Sequence, residues 1–205
     1  SFFILYIFKM VKLNLITAPT YTDLISVATA KNFLRVTNSA EDTLIGTLII
    51  AAVEVAQNYT NSRFLDTEYI MTMDSWTDVL VQNDLPQIIL PYAPLSSIEH
   101  LKYYDSANVH QTWSASNYSV NKYINQSGFL EIDSGVTTPT LYDRPDAIEI
   151  KFKAGYGTSG SDVPESIKIA ILLILGKMYE MREDSVSKLP KSSEYILDPY
   201  RFITY

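Results

Sequence analysis

Ile169-Ala170-Ile171-Leu172-Leu173-Ile174-Leu175-Gly176 is a run of eight consecutive apolar or small residues in the last quarter of the sequence. Helix-start signals precede it, because Asp162 can act as an N-cap, Pro164 falls in the first turn and Glu165 supplies an acidic partner. We therefore predict a long helix from about Asp162 to about Asp184. A helix that is apolar on every side must be covered on every side, so we expect one side to pack on its own domain and the other against a second subunit.

Two further helices are predicted near the N-terminus. The first is capped by Thr20 or Thr22 and runs to about Arg35, and the second runs from Ser39 to about Asn61. In the second, we expect a capping box: the Ser39 hydroxyl accepts from the free backbone N–H groups of the first turn, and the Asp42 carboxylate, three residues later, accepts from the Ser39 backbone N–H. Apolar residues recur at helical spacing in both segments: Leu24, Val27, Ala28 and Leu34, then Ile45, Leu48, Ile49, Ala52, Val53, Ala56 and Tyr59.

Between residues 65 and 152 the apolar period changes from helical to alternating. We predict strands at residues 68–73, 87–90, 98–104, 118–121, 129–132 and 147–152. In the last of these Ile148, Ile150 and Phe152 alternate with Glu149 and Lys151, which is typical of a sheet with one solvated face.

The predicted fold class is α+β: a helical bundle of two N-terminal helices and one long C-terminal helix, with an inserted antiparallel β-subdomain. The expected segments are N-terminal helices at 10–64, the β-subdomain at 65–153, the long helix at 154–188 and a C-terminal arm at 189–205. The arm lacks periodicity, yet it holds more aromatic and apolar side chains than a disordered tail would carry.

The apolar opening, Phe2 to Phe8, is far shorter than the roughly 20 residues of a membrane-spanning helix. No basic residue precedes it, and no small-residue cleavage site follows it. Met10 opens a more ordinary run and is a plausible initiator, so residues 1–9 are expected to be an extraneous leader. No membrane association is expected.

Charge and composition limit the classes of function. The 205 residues carry a formal net charge of −7, which disfavours tight binding of nucleic acid because that needs clustered Lys and Arg. The chain has no cysteine, which excludes disulfides and thiol chemistry. Its fifteen tyrosines suit contact surfaces.

One motif suggests chemistry. The segment 155–160, Gly-Tyr-Gly-Thr-Ser-Gly, matches the dinucleotide-binding pattern, follows a predicted strand and precedes a helix. However, the helix starts after the third glycine, at Asp162-Val163-Pro164, and no second parallel strand follows. We interpret the segment as a strand-to-helix turn, with a nucleotide-binding enzyme as the remote alternative.

No other residues indicate a reaction. His100 and His110 are the only histidines, and neither has a ligand partner at the spacing a zinc site uses. Trp76 and Trp113 are interpreted as core or contact anchors. We therefore expect no catalytic residue, no cofactor and no metal site.

Ten short stretches, taken in order along the chain, carry a family resemblance. They are residues 30–36 (AKNFLRV), 41–45 (EDTLI), 51–54 (AAVE), 59–63 (YTNSR), 90–98 (LPYAPLSSI), 102–105 (KYYD), 153–157 (KAGYG), 163–168 (VPESIK), 179–183 (YEMRE) and 199–201 (PYR). Together they resemble the phage head-tail connector (adaptor) family of the gp6-like and phiE125 gp8-like type.

The resemblance implies a structural subunit of a bacteriophage or prophage. Such subunits form a homo-oligomeric ring, twelve-fold in the virion, that docks below the portal protein, extends the DNA channel without binding DNA specifically, and meets a downstream neck or tail protein. The expected location is the virion neck, after assembly in the host cytoplasm. The alternative is another neck or tail-completion protein.

Interface residues are expected on the long helix and in the arm. The candidates are Ile169, Ile171, Leu172, Leu173, Leu175, Tyr195, Leu197, Tyr200, Arg201 and Phe202.

Overall fold

Four α-helices and two antiparallel sheets make up the fold in a computed structural model that describes residues 11–76, 80–82, 85–122, 128–181 and 189–202. The α+β class predicted from the sequence is therefore confirmed. The proposed leader, residues 1–9, lies outside the described residues. The helices are α1 (Val27–Leu34), α2 (Asp42–Thr60), α3 (Glu165–Glu180) and α4 (Lys191–Leu197).

The first helix begins later than predicted. Thr20 and Thr22 lie at a 3-10 turn, Tyr21–Asp23, and the N-cap of α1 is Ser26, whose hydroxyl accepts from the Thr29 N–H at 3.1 Å. Threonine and serine make similar caps, so local sequence could not choose between these neighbouring positions.

The capping box predicted for the second helix is wrong. Glu41 precedes α2 as its N-cap, and the Asp42 carboxylate lies 2.6 Å from the Lys31 ammonium. Asp42 is therefore turned towards α1 instead of back to the Ser39 backbone. A charge contact with a neighbouring helix has replaced a local hydrogen bond.

The long helix starts at Glu165, after Pro164, because Asp162 belongs to a separate turn. The Ser159 hydroxyl and the Asp162 carboxylate form a reciprocal capping box around the 3-10 turn Gly160–Asp162. The helix ends at Glu180, before the predicted end, and residues 182–184 lie outside the described part.

The β region forms two sheets. The five-stranded sheet has the order β1-β2-β9-β5-β6, and the four-stranded sheet has the order β3-β4-β8-β7. Their strands are β1 (Lys12–Thr17), β2 (Thr67–Met73), β3 (Leu80–Gln82), β4 (Leu85–Ile89), β5 (Leu95–Tyr104), β6 (His110–Thr112), β7 (Tyr118–Asn121), β8 (Phe129–Ile132) and β9 (Ile148–Ala154).

All six predicted strands are present, and β1, β3 and β6 were not predicted. The strand β1 lies in the segment expected to hold only the N-terminal helices, and it pairs with β2 at the edge of the larger sheet, with Leu13 opposite Met71. The strands β3 and β6 have three residues each, too few to show an alternating pattern.

Two hydrophobic cores hold the chain together. One lies among the helices and includes Ile45, Ile49, Phe64 and Ile171, all fully buried. The other lies between the sheets and is built by the inward residues of the central strand β9, such as Ile150 and Phe152.

Candidate functional site

The glycine-rich segment 155–160 connects β9 to the 3-10 turn that precedes α3, as expected for a strand-to-helix turn. Three of its backbone N–H groups donate inside the chain: Gly155 to the Pro94 carbonyl at 2.9 Å, Tyr156 to the Phe64 carbonyl at 3.2 Å, and Ser159 to the Asp162 carboxylate at 3.0 Å. A phosphate site needs such groups free and aimed at the anion. The segment therefore connects the sheet to the helical core through main-chain hydrogen bonds.

The two histidines contact different partners on the larger sheet. His100 Nε2 lies 2.8 Å from Glu149 Oε1, and the His110 ring stacks on Tyr104 with centroids 4.6 Å apart. Among the residues that the structure describes, no group of three or more His, Asp or Glu side chains could hold a metal ion.

The two tryptophans pack on each other at one side of the sheet core. Their ring centroids are 4.7 Å apart, Trp113 is buried beside Tyr118, and the Trp76 indole N–H donates to the Pro139 carbonyl at 3.0 Å. Trp113 therefore belongs to the sheet core, and Trp76, which is partly buried, packs against it.

Helix α3 divides the predicted interface residues into two groups. Ile171 and Leu175 are fully buried in the subunit's own core, and Leu172 is only 7% exposed. Ile169 is 47% exposed and Leu173 is partly exposed. Only the second group is therefore available to another subunit.

The predicted C-terminal arm is folded against the helices as far as residue 202. Leu197 is fully buried, the Tyr200 hydroxyl is hydrogen-bonded to Ser166 at 2.7 Å, and the Phe202 N–H donates to the Thr60 carbonyl at 2.7 Å. The Arg201 guanidinium lies over the Tyr59 ring, 4.9 Å from its centroid.

Tyr195 is the exception, because its side chain is 81% exposed. It stands on the outer side of α4, opposite Ser193, whose hydroxyl donates to the Ala170 carbonyl of α3 at 3.3 Å. An aromatic side chain held on a packed helix and left in solvent is typical of a contact residue.

Other exposed apolar side chains were not predicted. They are Val11, Leu15 and Ile16 near β1, Phe33 on α1, Leu44 and Ile50 on α2, Ile89, Val109, Val120 and Tyr142 in the β region, and Met181 at the end of α3. Ile50 could have been found, since it falls on the polar side of the amphipathic pattern of α2. The exposure of Leu15 depends on strand pairing that no local pattern indicates.

A pocket of about 220 Å³ lies between α2 and the larger sheet, with Leu15, Glu54, Asn58 and Tyr69 among its lining residues. Arg63 also lines it: Nε donates to the Tyr69 hydroxyl at 2.6 Å, and the guanidinium lies 3.5 Å from the centroid of the Tyr92 ring. No local sequence pattern indicates this pocket, because its walls come from three separate segments.

The outer face of the larger sheet carries an ion-pair network. Lys151 Nζ lies 3.1 Å from a Glu68 carboxylate oxygen and 2.9 Å from one of Glu99, and Lys153 Nζ lies 2.9 Å from the other Glu99 oxygen. Hydrogen bonds from both lysines lower the pKa of Glu99 from 4.5 to about 2. This is the solvated face predicted from the alternation in β9.

Comparison with known families identifies the chain. The sequence model for phage gp6-like head-tail connector proteins matches residues 24–134, which is more than half of the chain. The chain belongs to this family. The matched part of this connector chain runs from the residue after the Tyr21–Asp23 turn to just beyond β8, and it excludes β9, α3 and α4.

Solved structures resemble the connector chain over nearly its whole length. A chain from the neck of an empty gene transfer agent particle, computed with C6 symmetry, has a TM-score of 0.75 at 23% identity and covers 95% of this chain and 97% of its own. A chain from the virion of a native gene transfer agent particle has the same TM-score and identity over 94% and 96%. A chain from the neck of the native particle, computed with C12 symmetry, has a TM-score of 0.74 at 22% identity over 95% and 97%.

These likenesses show that the fold of this connector chain, including α3 and α4, occurs in other proteins. No curated protein matches the chain. Among the described residues, no helix is long and apolar enough to cross a membrane.

Proposed function

We propose that this chain is a structural subunit of a bacteriophage or prophage head-tail connector, that copies of it form a ring in the virion neck, and that it has no catalytic role. The observation that carries the proposal is the family match over residues 24–134. The fold likeness to neck chains of a phage-like particle supports it.

The proposed ring has twelve subunits in the virion. The two neck structures were computed with C6 and C12 symmetry, and a ring of twelve equal subunits is compatible with both, since a twelve-fold axis contains a six-fold one. Each contact in such a ring joins one face of a subunit to a different face of the next.

The ring surface is proposed to include the exposed or partly exposed members of the predicted interface: Ile169, Leu173, Tyr195, Tyr200, Arg201 and Phe202. Ile171, Leu172, Leu175 and Leu197 are left out of that surface, because the subunit's own core already covers them. Phe33 lies beside this surface: a Cβ built on Gly176 of α3 would stand 3.2 Å from its ring.

The proposed partners are the portal protein above the ring and a neck or tail protein below it. DNA passes through the ring without specific binding, and the net charge of −7 supports this because an acidic wall repels phosphate. The subunits are proposed to assemble in the host cytoplasm and to end in the virion neck.

Negative-stain imaging of concentrated protein, alone and mixed with purified portal protein, tests the proposal. We expect rings whose class averages show twelve-fold symmetry, and we expect these rings to sediment together with portal protein. A protein that forms rings but binds a tail protein and not portal is another neck or tail-completion protein. A protein that stays monomeric both alone and with portal protein contradicts the proposed ring.

A further inference from the structure

The pocket beside α2 is lined by one cation, Arg63, and one acidic side chain, Glu54, and the two form no ion pair in the described part of the chain. The Arg63 guanidinium donates to the Tyr69 hydroxyl and, at 2.8 Å, to the Ser62 carbonyl. No Asp or Glu oxygen of the described residues lies within 4 Å of it. A guanidinium has five N–H donors, so donors remain for an incoming carboxylate.

The pocket has the size and walls for one aromatic side chain. Its volume of about 220 Å³ is below the roughly 300 Å³ at which small-molecule sites begin. The Leu15 side chain, 56% exposed, and the Tyr69 ring supply apolar wall, Asn58 supplies an amide, and Glu54 supplies a carboxylate. A ligand that combines an aromatic ring with a carboxylate fits this lining.

The chain presents that combination on α4. Tyr195 is 81% exposed, and Glu194 beside it is only partly buried, with no basic group of the described residues within 4 Å. The helix is held firmly, because Leu197 is fully buried and the Tyr59 hydroxyl donates to Asp198 at 2.6 Å. Tyrosine held in this way makes contact at a low entropic cost.

The pocket is not filled by the subunit's own Tyr195. That side chain is 81% exposed, and it is not among the residues that line the pocket. The aromatic group and the pocket are therefore two separate surfaces of one subunit. A contact between them joins one surface to a different surface of the next copy, which is the arrangement that a head-to-tail ring needs.

We infer that the pocket receives the Tyr195 side chain of the neighbouring copy, with the neighbour's Glu194 carboxylate against the Arg63 guanidinium. This contact rests on the proposed ring. It assigns the two faces that meet between adjacent subunits, Leu15–Glu54–Arg63 on one and Glu194–Tyr195 on the other.

Chemical cross-linking tests the contact directly, because the chain has no cysteine. The double variant Asn58→Cys/Ser192→Cys places one thiol at the pocket and one on α4, a turn from Tyr195, and leaves Tyr195 and Arg63 intact. In rings formed in solution or on purified portal protein, a short bifunctional thiol reagent should produce a ladder of covalent oligomers on a denaturing gel. The control pair Asn58→Cys/Ser134→Cys, with an exposed serine of the β8 turn, should give none.

Truncation of the aromatic group tests its contribution. Tyr195→Ala should raise the protein concentration needed for half-assembly by about tenfold or more, as expected for a buried tyrosine anchor. The matched control Tyr142→Ala removes another exposed tyrosine, 43% exposed, and should assemble as the wild type does.

The outcomes separate the inference from the proposed function. A ladder together with weakened assembly of Tyr195→Ala supports the contact. Rings that form normally without a ladder, or in the Tyr195→Ala variant as readily as in the wild type, overturn the contact and leave the connector function standing. A wild-type chain that forms rings in neither setting overturns both.

Discussion

Glycine at position 155 is required by the backbone that surrounds it. Its φ is +150°, and a Cβ built there would lie 2.5 Å from the Asp66 nitrogen and 2.5 Å from the Leu65 carbonyl carbon. Neither neighbour can move easily, because both are main-chain atoms. Close packing of β9 on the loop before β2 therefore explains the first glycine of the motif without a ligand.

We predict that Gly155→Ala lowers the free energy of unfolding by about 2 kcal/mol or more, measured by urea denaturation. Gly135→Ala is the matched control: its φ is +81°, but nothing lies within 4 Å of the added Cβ, so only the backbone angle costs energy, about 1 kcal/mol. Equal losses in the two variants would contradict the packing explanation. A thermal shift with a nucleotide that disappears in Gly155→Ala would restore the nucleotide-binding alternative.

Glu99 owes its low pKa to two lysines on the neighbouring strand β9. Its carboxylate accepts from both Lys153 and Lys151, which hold its pKa at about 2 instead of 4.5. A depressed pKa in the folded state means that the ionised form stabilises the fold above pH 4.5. That stabilisation is lost as the pH falls from 4.5 to about 2.

The prediction is that wild-type protein is more stable than Glu99→Gln near pH 6 and that the difference disappears between pH 4.5 and pH 2. Free energies of unfolding measured across this range check it. Glu165→Gln is the control, since the Glu165 side chain is 84% exposed and solvent screens its pairing with Lys168. A difference between wild type and Glu99→Gln that stays constant with pH would contradict the role of the ion pairs.

At the scale of the element, α3 combines a core face with an exposed apolar face. One isoleucine lies on each face: Ile169 is 47% exposed, whereas Ile171, two residues later, is fully buried. Two residues correspond to about 200° of helix rotation, so the two side chains point in opposite directions. The same substitution at the two sites therefore probes assembly at one and folding at the other.

We expect Ile171→Asp to leave an unpaired charge in the core, cost several kcal/mol and unfold the subunit, as seen by circular dichroism. Ile169→Asp should keep its circular dichroism spectrum and lose ring assembly, as measured by analytical ultracentrifugation. If Ile169→Asp folds and forms rings normally, the exposed face of α3 is not part of the subunit contact.

At the scale of the whole molecule, the net charge bears on DNA binding and the joining of the two cores bears on contacts with neighbouring subunits. A charge of −7 over 205 residues opposes retention of DNA, because proteins bind DNA tightly when their Lys and Arg side chains neutralise phosphates and release the counterions condensed on the DNA. The residues at 155–157 join the helical core to the sheets through main-chain hydrogen bonds, such as that from the Asp66 N–H to the Gly157 carbonyl at 2.8 Å. Surfaces on the helices and on the sheets can therefore contact neighbouring subunits as parts of one connected subunit.

We predict no measurable binding of a fluorescent double-stranded DNA at physiological salt and about 10 μM subunit, by anisotropy. Non-specific binders reach dissociation constants of about 10⁻⁴ to 10⁻⁶ M under these conditions. A basic DNA-binding domain assayed in parallel shows that the assay responds. Micromolar binding that weakens steeply with added salt would show that the chain grips DNA and would contradict passage through an acidic channel.

The sequence by itself determined the element types wherever a strong period extended over several turns or residues. The second and third helices and the strands around Ile150 follow from such periods, as does the solvated face with Glu149 and Lys151, because burial selects apolar residues at fixed spacing. The ordered motifs also indicated the connector family, which the match over residues 24–134 confirms.

Only the tertiary structure decided which apolar residues stay exposed. Ile169 and Ile171 are the same type of residue in the same apolar run, and the packing of neighbouring elements alone determines that one is exposed and the other is buried. The pocket around Arg63 and the edge position of β1 likewise depend on segments far apart in the chain. Local patterns report on a helix or strand and its nearest turn, whereas a surface is defined by which elements pack together, and that information is long-range.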